Sequence, residues 1–218
     1  MTISRISSAS AASDSVTLGT HAAGDMIFIW SWNDGSATVP SLPAGWLSIH
    51  TATAATGSYR LGYKLAASGS ETSGTWTNAD GLIAVVYRSD VGIVVPAFFA
   101  TNTATNTTVA YSAIVAAANR ENVDQWFFGA AVQRNETNAL ETAPSGMTNV
   151  TSQVGTGFKM AWHDTNADAN SFTAANVSVT TSALWRTVVV QVFEQAYPTS
   201  SGGGAMFLPR GFDGGYFG

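Results

Sequence analysis

The chain has 218 residues, a formal net charge of −5, and charged residues at only 11%, against roughly a quarter in ordinary soluble domains. Nine Lys and Arg against fourteen Asp and Glu, with no basic run, leave no phosphate-neutralising stripe, so nucleic acid is not expected as a partner. Zero cysteines exclude disulfides, thiolate zinc sites and cysteine nucleophiles.

In chain order, residues 1–15 hold one Arg and no apolar core, which does not read as a secretory signal. Residues 26–32 are apolar on both faces, as a central strand requires. Asn33-Asp34-Gly35 and residues 40–45 signal turns. In residues 59–65, Tyr59, Leu61, Tyr63 and Leu65 alternate with Arg60, Gly62 and Lys64, the pattern of a half-buried strand. A turn at residues 68–74 leads to a second both-faced apolar strand, residues 82–87. Residues 91–100 form the longest apolar stretch, but Pro96 interrupts it and it is half a membrane span, so no membrane insertion is expected. A short helix is expected at residues 116–122. Strands follow at residues 125–132, 158–163 and 184–193, with Pro144-Ser145-Gly146 as a turn.

The chain also matches itself. At an offset of 99, residues 59–64 lie over residues 158–163 with aromatic on aromatic, and Asp25 meets Asp124 ahead of two apolar strands. Pro43-Ala44-Gly45 meets Pro144-Ser145-Gly146 two positions later. An internal repeat of roughly residues 24–88 and 123–194 is therefore expected. Neither half has enough strands to close a core alone. The predicted fold is all-β: one antiparallel β-sandwich of jelly-roll or Greek-key type over residues 1–198, built from two similar halves.

Composition changes after Pro198. Residues 199–204 form a flexible linker by composition. The segment beyond carries Met206, Phe207, Leu208, Phe212, Tyr216 and Phe217 among glycines. Such side chains are costly to leave in water, and the segment reads as an anchor tail that docks on a neighbouring subunit.

Chemistry is sparse. The three histidines, His21, His50 and His163, share no motif with a nucleophile, and His163 is read on the polar face of its strand. There is no Gly-x-Ser-x-Gly or His-Glu-x-x-His. Asp34, Asp80, Asp90, Glu136 and Glu141 read as solvated turn acids. Asp164-Thr165-Asn166-Ala167-Asp168-Ala169-Asn170 has alternating oxygen ligands, but Ala169 and Ala175 stand where a calcium loop needs Gly and Glu. No metal or cofactor is expected. At the 99 offset, Ile27 and Ile29 meet Trp126 and Phe128 and form the core face. Trp30 and Trp32 meet Gly129 and Ala131 on the other face. With Trp46 and Trp76 they are candidates for an aromatic platform that stacks a glycan or a partner.

The run Gly24-Asp25-Met26-Ile27-Phe28-Ile29-Trp30, then Pro43-Ala44-Gly45-Trp46, Gly57-Ser58-Tyr59-Arg60-Leu61-Gly62-Tyr63-Lys64 and Gly74-Thr75-Trp76-Thr77 resembles small β-sandwich proteins encoded among the virion genes of tailed bacteriophages and prophages. The resemblance covers residues 14–195 and rests on turn and strand patterns. It implies a tail-tip, fibre-associated or capsid-decorating component and transfers no catalytic residue. The expectation is a non-enzymatic virion protein made in the host cytoplasm. Its partners would be other virion proteins and copies of itself. The alternative is a carbohydrate-binding adhesin for host surface glycans.

Overall fold

The computed structural model describes residues 2–95, 99–115 and 123–194. The helix expected at residues 116–122 and the tail with Met206, Phe207, Leu208, Phe212, Tyr216 and Phe217 lie outside these residues. Among the described residues there is no helix, and every strand pairing is antiparallel.

The first sheet contains β1 (Ser4–Ala11), β2 (Met26–Asp34), β3 (Leu47–Ala52), β4 (Gly57–Leu65) and β5 (Gly81–Arg88), in the order β1-β5-β2-β4-β3. After β6 (Ile93–Val94), β7 (Phe99–Tyr111) and β8 (Ile114–Val115) come β9 (Gln125–Gln133), β10 (Thr148–Gly155) and β11 (Phe158–Asp164). The chain then forms β12 (Ser171–Phe172) and the 20-residue β13 (Ala175–Glu194). The second sheet runs β10-β11-β9-β13-β6, β7 also pairs with β13, and β8 pairs with β12. The both-faced apolar runs are the interior strands β2 and β5, as the residue pattern requires.

Three apolar layers hold the sheets. The central layer takes side chains from both sheets: Met26, Phe28, Trp30 and Trp32 from β2 meet Trp126, Phe128, Ala130 and Val132 from β9, with Val188, Val190 and Val192 from β13. Phe28 and Phe128 rings lie 4.8 Å apart, and Phe128 stacks on Trp162 at 4.4 Å. The two outer faces are covered as well. Ile27, Ile29, Leu82, Ala84 and Val86 pack under Val16, Trp46, Trp76 and Ala79. Phe127, Ala131, Ala161 and Val189 pack under Val109, Tyr111, Phe172, Val177 and Val179.

The second cover is made by β7 and β13 themselves. Their pairing shifts between Ser178 and Ala183, and the far ends turn back over the sheet. Thr187 Oγ1 then donates to Ala110 O at 2.7 Å, and Ser112 Oγ to Thr101 O at 3.3 Å. Gly129 accommodates this cover, since a Cβ there would stand 2.9 Å from the Tyr111 ring.

These layers correct the face assignment expected from the 99 offset. Trp30 and Trp32 face the same core as Trp126 and Phe128, while Ile27 and Ile29 point outward, as Phe127 does. Side chains alternate with period two, so an odd offset exchanges the faces of the whole strand.

Candidate functional site

The four candidate platform tryptophans are placed by the core. Trp30 and Trp76 are 0% exposed, Trp32 1% and Trp46 5%. Trp30 packs against Tyr59 with the rings tilted at 41° and 4.2 Å apart between the sheets, and Trp46 meets Trp76 edge to face at 5.4 Å under the outer cover of the first sheet. All seven indoles are buried. The expected aromatic platform is corrected: burying each of these rings contributes roughly 2–3 kcal/mol, and the loops that cover Trp46 and Trp76 leave no ring face to a ligand.

His163 is also corrected. It lies on the outward face of β11, but that face is covered and the ring is fully buried. Nδ1 is hydrogen-bonded to Tyr111 Oη at 3.1 Å, and the backbone of Glu141 and Leu140 lies beside the ring. Burial lowers its pKa to about 4 and burial drives the Tyr111 phenol far up, so both are neutral at ordinary pH. His21 is structural in another way. Its Nδ1–H donates to Gly19 O at 2.7 Å and its Nε2 accepts from Glu71 N–H at 2.9 Å, which joins two loops.

Those loops line an open groove of about 820 Å³ beside β1, with Ser10, Ser13, Thr17, Thr72 and Ser73 on its walls. Its one carboxylate, Glu71, is tied to Lys64 Nζ at 2.5 Å and accepts from Ala67 N–H. The Lys64 contact, then the Ala67 amide, hold its pKa below the usual carboxylate value.

The acids expected at turns are mostly fasteners. Asp34 accepts Arg134 from the opposite sheet at 2.9 and 3.2 Å, and Asp80 accepts the Asp34 amide at 2.7 Å. Glu136 accepts Gly157 N–H, and Glu141 pairs with Lys159. Asp25 takes a two-pronged bond from Arg88 at 2.6 and 2.8 Å. Burial opposes its ionisation, but Arg88 and the Ala22 amide outweigh that and lower its pKa.

In the stretch read against a calcium loop, Asp164 is turned into the molecule and bound by Arg5 and Tyr87. Asp168 accepts the Gln125 amide at 2.8 Å. Its neighbours Asp124 and Glu194 accept Ile3 N–H and Ser89 Oγ, both at 2.5 Å. Burial first, and Asp168 and Glu194 after it, raise the Asp124 pKa. Among the described residues no group of three His, Cys, Asp or Glu is placed to hold a metal ion.

The opposite long side of the sandwich was not visible in the sequence. There β3 and β4 approach β7 and β13 along one side of the two sheets. His50 Nδ1 is hydrogen-bonded to Tyr59 Oη at 2.9 Å, and the His50 ring lies 4.6 Å from Phe99. Burial lowers the His50 pKa and raises that of Tyr59. Leu47 of β3 and Phe99 of β7 are exposed at 56% and 38%. Arg186 pairs with Val132 and Thr103 in the ladder, which turns its side chain to the inner face of the sheet beside Tyr59. Beyond Arg186, β7 closes the sheet as an edge strand of 13 residues, and it carries neither charge nor proline.

No family model, curated protein or solved structure matches the chain.

Proposed function

We propose that this chain is a non-enzymatic structural component of a tailed bacteriophage virion. In this reading it is displayed on the tail or capsid surface, held by residues 199–218 to neighbouring subunits and joined to them through its sheet edges. The resemblance of residues 14–195 to small phage virion sandwiches motivates the reading. The observation that carries it is β7, Phe99–Tyr111. An edge strand presents unpaired backbone groups, and monomeric proteins defend such edges with charge, proline or short length. β7 has none of these defences, and its outer side is suited to pairing with an extended segment of another chain.

The finer architecture belongs to the same proposal: two copies of one unit, each forming one sheet. In this scheme β3, β4, β2, β5 and β1 correspond to β10, β11, β9, β13 and β7. Two observations support it. The Pro-x-Gly turns have the same form, with Gly45 at φ 81° and Gly146 at φ 85°, and Trp46 and Met147 each donate back to the proline carbonyl. The following hairpins carry bulges at Ser48/His50 and Asn149/Thr151, 101 residues apart.

The glycan-adhesin alternative loses the four indoles on which it was built. The virion reading is tested by T101K/T105K, which puts charge on exposed positions of β7. The substituted protein is expected to fold with an unchanged thermal midpoint and to fail to join particles. Normal incorporation would reject the edge as the assembly surface.

A further inference from the structure

Arg186 is a cation largely enclosed by the fold, with no ion pair among the described residues. It is 8% exposed, and its Nε is buried with no hydrogen-bond partner among the described residues. The described ion pairs engage Arg5, Lys64, Arg88, Arg134 and Lys159, and none reaches Arg186. A guanidinium partly withdrawn from water is stabilised by a paired acceptor. An apolar residue would fill this place in a purely structural core, as Val188 and Val190 do at the next inward positions of β13. Trp30 Nε1, whose ring packs at a tilt against the same Tyr59, is a second buried donor without an acceptor among the described residues. Arg186 thus offers hydrogen-bond donors with no acid paired to it among the described residues.

We propose that Arg186 is a carboxylate-binding site and that its occupant is Asp213 of the C-terminal segment. The proposal rests on the reading of residues 199–218 as an anchor, and it names the anchor's acceptor. Two observations favour this occupant. Asp213 is the one acid among residues 195–218, and it follows Phe212 with glycines on both sides of the pair. An acid carried on a short glycine-flanked stretch suits a guanidinium that has no ion pair, and a planar fork on a carboxylate is the strongest pairing Arg makes. The reach is also sufficient. Arg186 lies eight residues before Glu194 on β13, about 26 Å away, whereas the nineteen residues from Glu194 to Asp213 extend to about 60 Å. Either the same copy or a neighbour can therefore supply the carboxylate.

The test uses the full chain labelled with 15N-arginine. The Arg186 Nε–Hε signal is assigned by its loss in R186K and compared between wild type and D213N. The expected result is a shift of that signal in D213N, reversed by sodium acetate in a saturable way and not by sodium chloride at equal ionic strength. R186Q and D213N should shift the thermal midpoint by similar amounts, with no further shift in the double variant. If R186Q fails to fold, the acetate titration of D213N decides alone. An Arg186 signal that ignores both D213N and acetate overturns the site. A signal that responds to acetate but not to D213N overturns Asp213 as the occupant, and tighter binding of inorganic phosphate than of acetate overturns the carboxylate assignment. Light scattering on wild type and D213N separates the two sources: a loss of mass in D213N places the contact between copies, an unchanged mass within one. If D213N moves the Arg186 signal and still enters particles normally, the contact stands and the anchoring role fails.

Discussion

Tyr87 and Asp164 stand on opposite sheets, yet the Tyr87 hydroxyl donates to Asp164 Oδ2 at 2.9 Å with both residues fully buried. The same hydroxyl accepts from Trp162 Nε1 at 3.0 Å, and Arg5 from β1 reaches both Asp164 oxygens at 2.8 Å. One polar knot thus fixes how the two sheets meet, inside an otherwise apolar layer. Burial pushes the Asp164 carboxyl up while Arg5 and Tyr87 pull it back, so its charge depends on those two partners.

Y87F should destabilise the protein by about 1–3 kcal/mol, because the Trp162 donor loses its acceptor while Asp164 keeps Arg5. R5M should cost more, about 3–5 kcal/mol, because a buried carboxylate then lacks its counter-charge. Urea unfolding at pH 7 measures both. A smaller loss in R5M than in Y87F would mean that solvent, rather than Arg5, balances Asp164.

His163 predicts an acid limb. Its folded pKa, about 4, lies below the ordinary 6.5, so the unfolded chain binds the proton first. Stability is full above pH 6.5 and falls as the pH drops toward 4, by up to about 1.4 kcal/mol per pH unit and roughly 3 kcal/mol in total. His50, also lowered by burial, adds a loss of the same sign in its own window below 6.5. Asp124 and Asp164, both raised, act the other way once they protonate. Urea midpoints from pH 7 to 4.5 should fall less steeply in H163Q than in wild type, and parallel curves would exclude His163 as the cause.

The buried indoles make an optical prediction. Intrinsic fluorescence of the native protein should be blue-shifted and quenched far less by acrylamide than that of the urea-unfolded chain. Added oligosaccharides should leave it unchanged. Glycan-dependent quenching would show that one of Trp30, Trp32, Trp46 or Trp76 reaches the surface after all.

Two glycines separate backbone strain from crowding. Gly24 has φ +91° with nothing within 4 Å of an added Cβ, so G24A should cost only the backbone term, about 1 kcal/mol. Gly57 has φ +147°, and a Cβ there would stand 2.2 Å from the Trp32 ring. G57A should therefore cost about 2 kcal/mol more, since a fully packed indole has to move. Thermal melts of the two variants give the comparison, and equal losses would show that Trp32 has room to shift.

Strand identity was legible wherever apolar residues alternate or run together, as in β2, β4, β5, β9 and β11, because burial on a pleated sheet imposes that pattern whatever the neighbours are. The turns at Gly35, Gly45 and Gly146 were legible for an equally local reason, since all three adopt positive φ. β1 and β7 were not, because SRISSASA and FATNTATNTTVAY carry almost no apolar signal. They become strands by pairing with β5 and β13, and backbone hydrogen bonds are indifferent to side chains. Which face of β2 meets β9 was decided only by the tertiary structure, since a single-residue change of register turns Trp30 and Trp32 from surface to core. The same holds for Arg186: in sequence it is one cation within an apolar run, and only the pairing that sets it opposite Thr103, 83 positions away, and the packing that brings it beside Tyr59 leave it a largely buried charge with no ion pair among the described residues.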